Sequence, residues 1–376
     1  MQVLIVTDSF KESLDAKQVA QAIADGVTSI DPNIKPRCIP FSDGGEGALG
    51  VLENHAEGVI EECPTVDALG RPKSAHYFRF NKGQKAWVEL SQASGLAHIE
   101  KEARNPLITS TYGTGLLIKD AIEKGCKEII LGIGGSATND GGAGIFQALD
   151  GQLLDHEGQH LTSGGGALVS LEKIIMPDHL TGIAWRVACD VQNPLLGPQG
   201  ASAVYGPQKG ASQKGVEQLE KSLTHLSKII EQQCHQKVTL LEGGGAAGGT
   251  AAGMVGFFGA QLTSGFGLLS ELIGLEQKVK QADLIFTAEG KIDQQSLQGK
   301  VPVGVARIAK KYGKKCIGLA GIVEPPFSSL YDQGFSGVFN LQQGPISLQE
   351  SKENAYQLLS ATTGRVFQFY LNSILK

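Results

Sequence analysis

Apolar residues follow two rhythms along this chain. Short runs such as residues 3–6 (VLIV), 128–131 (EIIL) and 184–188 (AWRVA) read as strands buried on both faces. Elsewhere, as at Val19, Ala20, Ile23 and Val27, they recur at the spacing of an amphipathic helix. The N-terminus thus predicts a strand over 2–6, a polar loop over 7–11 and a helix over 16–30. A strand over 37–41 and a helix running through His55 repeat the unit. Two βα units in succession predict a parallel, twisted sheet.

Beyond Cys63 the rhythm changes. Residues 74–80 and 85–90 alternate apolar and polar positions on either side of Asn81-Lys82-Gly83, which predicts a hairpin, and 150–158 predicts another. A helix ends at Glu123, the strand at 128–131 opens into a glycine loop, and a long helix spans 216–234. A short strand over 237–241 leads to the run 243–249 (GGGAAGG) and a small-residue helix. The doubly wound style then returns, with strands over 283–286, 316–320 and 337–340 and helices over 301–312 and 352–371. The expectation is an α/β protein of two α/β domains. One is a doubly wound, Rossmann-like domain formed by both chain ends, residues 1–65 and 283–376. The other is an inserted flavodoxin-like domain with extra hairpins, residues 66–282. Ligands are expected in the cleft where the chain crosses between them.

Composition narrows the function. The 376 residues carry a formal net charge of -5, which argues against a nucleic-acid or anionic-membrane surface as the main partner. No window approaches the roughly 20 apolar residues of a membrane span, and Met1 leads straight into the first strand without a basic leader, so a cytoplasmic location is expected. Six cysteines are scattered with no CxxC pair and read as reduced thiols. Glycine, at 50 residues, is nearly double its roughly 7% background, and it clusters in loops after apolar runs.

The richest of these loops is 132–144, GIGGSATNDGGAG. A strand breaking into glycines ahead of a helix lets backbone N–H groups approach an anion and turns a positive dipole end toward it. Gly134, Gly135, Ser136, Thr138, Asn139 and Asp140 are therefore candidates for phosphate, with Gly244 and Gly245 of the second glycine run. The same residues would equally serve a tight turn with Asn139 or Asp140 as helix cap. Asp8, Asp43, Asp140, Asp190, Glu289 and Asp293 each follow a predicted strand at the edge where open α/β sheets bind ligands. Carboxylates gathered there need cations, and Mg²⁺ held by one or two of them plus substrate phosphates meets that need. Lys11 and Lys291 share those loops. Phosphoryl transfer asks for phosphate donors, a metal and a carboxylate for the acceptor hydroxyl, and the chain offers all three without a GxxxxGK[ST] or HRD motif. A rival reading is a nicotinamide-dependent dehydrogenase, since Gly243-x-Gly245-x-x-Gly248 follows a plausible strand with Glu271 further on. A non-catalytic nucleotide sensor is a third.

Taken together, the motifs resemble those of the bacterial-type glycerate kinases, from the first strand to the last helix. The resemblance rests on DSFKESL (8–14), SDGGEG (42–47), RNPLITSTYGTG (104–115), GIGGSATNDGGAG (132–144), ACDVQNPLLGPQGASAVYGPQKGA (188–211), GGGAAGG (243–249) and AEGKIDQQSLQGKVPVGVA (288–306). It implies ATP- and Mg²⁺-dependent phosphorylation of D-glycerate, usually at the 2-hydroxyl, by a monomer or homodimer, or phosphorylation of a related small hydroxy acid. Ser9, Lys11, Ser110, Thr111, Tyr112 and Lys291 fall in motifs suited to substrate. Asp43 and Asp190 are the metal candidates, and Asp190 is the first choice for orienting the hydroxyl. The chain departs from the family pattern at Gln192, where an aspartate is usual, at Ala288, and at Lys291, which keeps the charge of the usual arginine without its bidentate fork.

Overall fold

The computed structural model describes residues 1–42, 47–293, 296 and 300–374. Thirteen strands occur among them: β1 Val3–Thr7, β2 Arg37–Pro40, β3 Gly58–Val66, β4 Pro72–Phe80, β5 Lys85–Glu89, β6 Glu128–Gly132, β7 Gln152–Leu154, β8 Lys173–Ile175, β9 Ala184–Ala188, β10 Gln261–Thr263, β11 Leu284–Ile292, β12 Lys315–Val323 and β13 Gly337–Asn340. The chain divides into two compact units, a terminal one of Met1–Asp43 with Phe266–Lys376 and an inserted one of Gly44–Gly265.

The terminal unit is built on a five-stranded parallel sheet in the order β13-β12-β11-β1-β2. Counted within the unit this is 2-1-3-4-5, the flavodoxin order, where the sequence suggested the Rossmann style. The unbroken apolar strands explain themselves, because both faces are covered. Val3, Ile5, Leu284, Phe286, Ile317 and Leu319 pack with the Ala16–Ile30 and Ala355–Ile374 helices, while the Val301–Lys311 helix packs against β1, β11 and β12. The Ala16–Ile30 helix starts at a capping box. Asp15 Oδ1 accepts from Gln18 N at 2.7 Å, and the Gln18 side chain accepts from Asp15 N at 3.0 Å.

The inserted unit has a six-stranded mixed sheet in the order β10-β9-β6-β5-β4-β3, parallel from β5 to β10 and antiparallel across β3, β4 and β5. Such a sheet is not the flavodoxin type expected for this half. The hairpin around Asn81 is present as β4 and β5. Residues 150–158 contain β7, after which the chain turns back to an antiparallel bridge between Leu154 and His160, while the ladder partner of β7 is β8. Strand β3, grouped with the terminal domain on sequence, pairs with β4 over nine residues, so its place is in the inserted sheet. Residues 237–241 form no strand. Among the described residues no helix is long and apolar enough to cross a membrane.

Candidate functional site

The sequence candidates gather into separate sets, one at the C-terminal edge of the terminal sheet and others in the loops of the inserted unit. In the terminal sheet the crossovers diverge from β1 and β11, which makes the gap between these two strands the switch point where open α/β sheets place ligands. Strand β1 ends at Thr7, and Asp8 follows with its N–H on Ala288 O at 3.0 Å. The Asp8 carboxylate turns back to accept from Ser9 N at 2.7 Å. Strand β11 does not end where its apolar run ends. It continues through Ile292 beside β12, with Glu289 opposite Ala320 and Lys291 opposite Ile322, so both charged residues stand on a strand that overhangs β1 rather than in a loop.

Glu289 is only 9% exposed. Burial pushes its carboxyl above the ordinary range, while Lys300 and, more distantly, Lys11 oppose the rise. Lys300 Nζ donates to Glu289 Oε1 at 2.6 Å, and the Ser296 hydroxyl lies 3.5 Å from Oε2. Lys300 is the ion-pair partner of the candidate Glu289, and the sequence reading missed it. It stands at the N-cap of the Val301–Lys311 helix, where the failed search for a GxxxxGK[ST] motif passed over it. Lys291 bonds Asp293 Oδ2 at 3.2 Å and Glu324 Oε1 at 3.0 Å. For Asp293, burial is overcome by Lys291 and by the Ser296 N–H at 3.1 Å, which hold its carboxyl below the usual range. The charge of Lys291 is therefore already matched, and the exposed Lys11 is the better placed of the two for an anionic substrate.

In the inserted unit the glycine loop is two things at once. Its second half is structural. Asp140 is fully buried and accepts four hydrogen bonds, from Thr111 N at 2.7 Å, Thr111 Oγ1 at 2.8 Å, Gly142 N at 3.2 Å and Gly144 N at 3.2 Å. Burial raises its carboxyl and these donors oppose the rise. Thr111 Oγ1 already accepts from Ile145 N at 3.1 Å, so its proton goes to Asp140, and the carboxylate serves as the ionised acceptor. Asp140 and Thr111 thus tie two helix starts together, and both are fully buried. Ser110 Oγ accepts from Tyr112 N at 3.2 Å, leaving the Tyr112 ring at the surface.

The second glycine run locks against the first. Gly141 N donates to Gly248 O at 3.1 Å, a Cβ on Gly248 would stand 2.1 Å from Thr138 O, and one on Gly253 would stand 1.8 Å from Gly141 O. Gly244 N and Gly245 N donate to Leu241 O and Asn193 O, both at 2.9 Å, so neither amide is open to a phosphate. With no strand ahead of it, this run lacks the context of a dinucleotide fingerprint, and close backbone approach accounts for its glycines.

The first half of the loop is different. Gly134 and Gly135 form a turn that reaches the surface, and their N–H groups donate to no carbonyl among the described residues. Behind the turn lies Lys209, 1% exposed, with Nζ donating to Ser136 Oγ at 2.8 Å and Thr138 O at 2.6 Å. Burial pulls its amine down to about 7, with Asp140 working in the opposite direction. Thr138 Oγ1 and Asn139 Oδ1 are buried without hydrogen-bond partners among the described residues, while the Asn139 amide donates to Ser202 Oγ at 3.2 Å. On sequence Lys209 falls within the 188–211 motif without being singled out.

Asp190, just past β9, accepts from Gly265 N with both oxygens, at 3.1 and 3.0 Å. Asp43 lies outside the described residues. Among the described residues no three His, Cys, Asp or Glu side chains cluster as metal ligands. A Mg²⁺ that arrives with substrate phosphates needs only one or two carboxylates, and the partly exposed Asp190 fits that donor set.

Known proteins are similar to this chain over nearly its whole length. Glycerate kinase of Halalkalibacterium halodurans is 42% identical over 360 residues, covering 95% of each chain, and glycerate 2-kinase of Escherichia coli K12 is 41% identical over 359 residues, covering 95% of this chain and 94% of its own. The crystal structure of a glycerate kinase 2 candidate from Salmonella typhimurium LT2 superposes with a TM-score of 0.84 at 39% identity, each chain covered in full. The model of the glycerate kinase family matches residues 3–371, which takes in the strand before Asp8, the interlocked glycine loops and the overhanging β11, and the chain belongs to that family.

Proposed function

We propose that this protein transfers the γ-phosphoryl group of ATP to the 2-hydroxyl of D-glycerate, giving 2-phosphoglycerate and ADP. The observation that carries the reading is the Gly134–Gly135 turn, whose amides meet no carbonyl among the described residues, next to Ser136 and the buried lysine amine that donates to it. Amides without a protein acceptor, in a turn backed by a basic side chain, suit phosphate oxygens. Family membership narrows the acceptor to glycerate.

In this reading Gly134, Gly135 and Ser136 hold phosphate oxygens, and Lys11 offers its ammonium to the carboxylate of glycerate. Asp190 orients the acceptor hydroxyl, taking its proton as the oxygen bonds to phosphorus and ADP departs. Mg²⁺, when bound, neutralises phosphate charge, and Asp190 and Asp43 are the residues that would hold it. Glu289 with Lys300 keeps a fixed charge pair at the sheet edge.

The test is ADP release from Mg-ATP on addition of D-glycerate, followed by separation of 2- from 3-phosphoglycerate. Glycerate-dependent ADP with 2-phosphoglycerate as product is the expected result. A change in NAD(P)H absorbance without ADP would overturn the reading. Asp190→Asn is expected to lower kcat by roughly 10² to 10⁴ with the fold intact by circular dichroism, and near-normal turnover would remove Asp190 from its role.

A further inference from the structure

Lys209 invites a donor count. A lysine head needs two hydrogen-bond acceptors when it is a neutral amine donating both protons and three when it is an ammonium. It finds two, the Ser136 hydroxyl and the Thr138 carbonyl, and at 1% exposure it is shut off from bulk water. The charged groups around it offer no third acceptor. Asp140 favours the ammonium through its field but accepts from Thr111, Gly142 and Gly144 and not from the Lys209 head. Arg104 abuts Gly210, the next residue along, through its backbone, and its guanidinium Nε donates to Ile99 O at 3.3 Å. Ser136, meanwhile, accepts from Lys209, and its own hydroxyl proton has no acceptor among the described residues. That proton is left for whatever occupies the turn beside it.

We propose that Lys209 is a positioning residue that responds to the charge of the ligand. With the turn empty its head is a two-donor amine. Arrival of a polyphosphate at residues 134–136 draws one proton from solvent onto the Nζ lone pair, and the resulting ammonium holds the anion through the Ser136 hydroxyl. Because burial has already brought the head close to neutrality, uptake needs only a modest change in the local field. The inference rests on the ATP reading above and adds to it a proton that accompanies binding.

Calorimetric titration with Mg-ATP, without glycerate, at about pH 7.5 in two buffers of different ionisation enthalpy measures that proton. The wild-type protein is expected to take up about 0.8 proton more per nucleotide bound than Lys209→Met, the difference cancelling the proton linkage of ATP itself. Equal uptake by the two proteins overturns the proposal, because a lysine that merely shapes the loop would leave the count unchanged. Should Lys209→Met fail to fold, wild-type protein carrying ¹³C at the lysine ε position reads the same event. A lysine signal titrating near pH 7 and moving upward with Mg-ATP supports the proposal, and lysine signals unchanged between about pH 6 and 9 overturn it. Binding heat without a proton difference removes this inference alone, whereas no binding heat at all removes the nucleotide reading and this inference with it.

Discussion

The second half of the 132–144 loop and the overhanging end of β11 both carry acids at the C-terminal end of a parallel strand, yet they treat them in opposite ways. Asp140 is neutralised by dipoles, four neutral donors arranged around a fully buried carboxylate. Glu289 and Asp293 are neutralised by charges, from Lys300 and Lys291 with partly exposed heads. The first solution fixes backbone geometry and is insensitive to salt. The second fixes net charge and leaves room for exchange of partners. An acid after a strand is therefore a weak sign of catalysis by itself, and what surrounds it decides.

Breaking the dipole side should cost most. Asp140→Ala leaves three backbone amides and a threonine hydroxyl without their acceptor in a dry site, an expected loss of about 4 kcal/mol in urea unfolding. Next comes the glycine lock. Gly253→Ala presses a methyl against Gly141 O and should cost about 1 to 3 kcal/mol by the same measurement, with the 134–136 turn disturbed.

The charged side is expected to show smaller, pH-dependent effects. Lys300→Met removes the strongest influence opposing the rise of Glu289, so the folded carboxyl moves further above its unfolded value. A group raised in this way contributes stability that is intact below about pH 4 and is lost as pH climbs through the folded value. The deficit of the variant against wild type should thus be negligible in acid and reach about 1 kcal/mol at neutral pH, held down by screening at a lysine side chain that is 40% exposed. Lys300→Met with Glu289→Gln should restore a flat profile. Lys291→Ala is expected to be the mildest, with no measurable change in Tm but a response to salt that wild type shows more strongly, because the Lys291 head is 45% exposed and Asp293 keeps its bond from Ser296 N. A large loss from Lys291→Ala, or a small one from Asp140→Ala, would erase the contrast.

The sequence made the regular elements legible where packing follows local pattern. The Ala16–Ile30 helix and strand β9 match their expected bounds, since helical spacing and an unbroken apolar run leave little choice. The end of β11 was hidden, because Glu289 and Lys291 have no strand pattern of their own and owe their conformation to the ladder with β12. Strand order was hidden for a related reason. Nothing in residues 58–66 says that β3 pairs forward with β4 instead of closing the first sheet. In the candidate site, the glycines marked close approach correctly, but glycine does not say to what. Gly244, Gly245 and Gly248 meet backbone, whereas the Gly134 and Gly135 amides reach no carbonyl among the described residues. Lys209 gave no signal beyond a basic residue among glycine, proline and tyrosine, since burial of a long polar side chain depends on loops that lie far away in the chain.

The pairing of β1 with β11 places Val3 against Leu284, and the Gln2 N–H reaches Asp283 Oδ2 at 2.7 Å across 281 positions of sequence. A ribosome therefore releases the first strand long before its neighbour exists. The N-terminal βα segment must wait with an apolar edge uncovered while the Gly44–Gly265 segment, whose strands find their partners locally, acquires its sheet first. Stalled nascent chains ending near residue 280 should accordingly resist protease over the middle of the chain and yield at its beginning. The protein closes its oldest strand last.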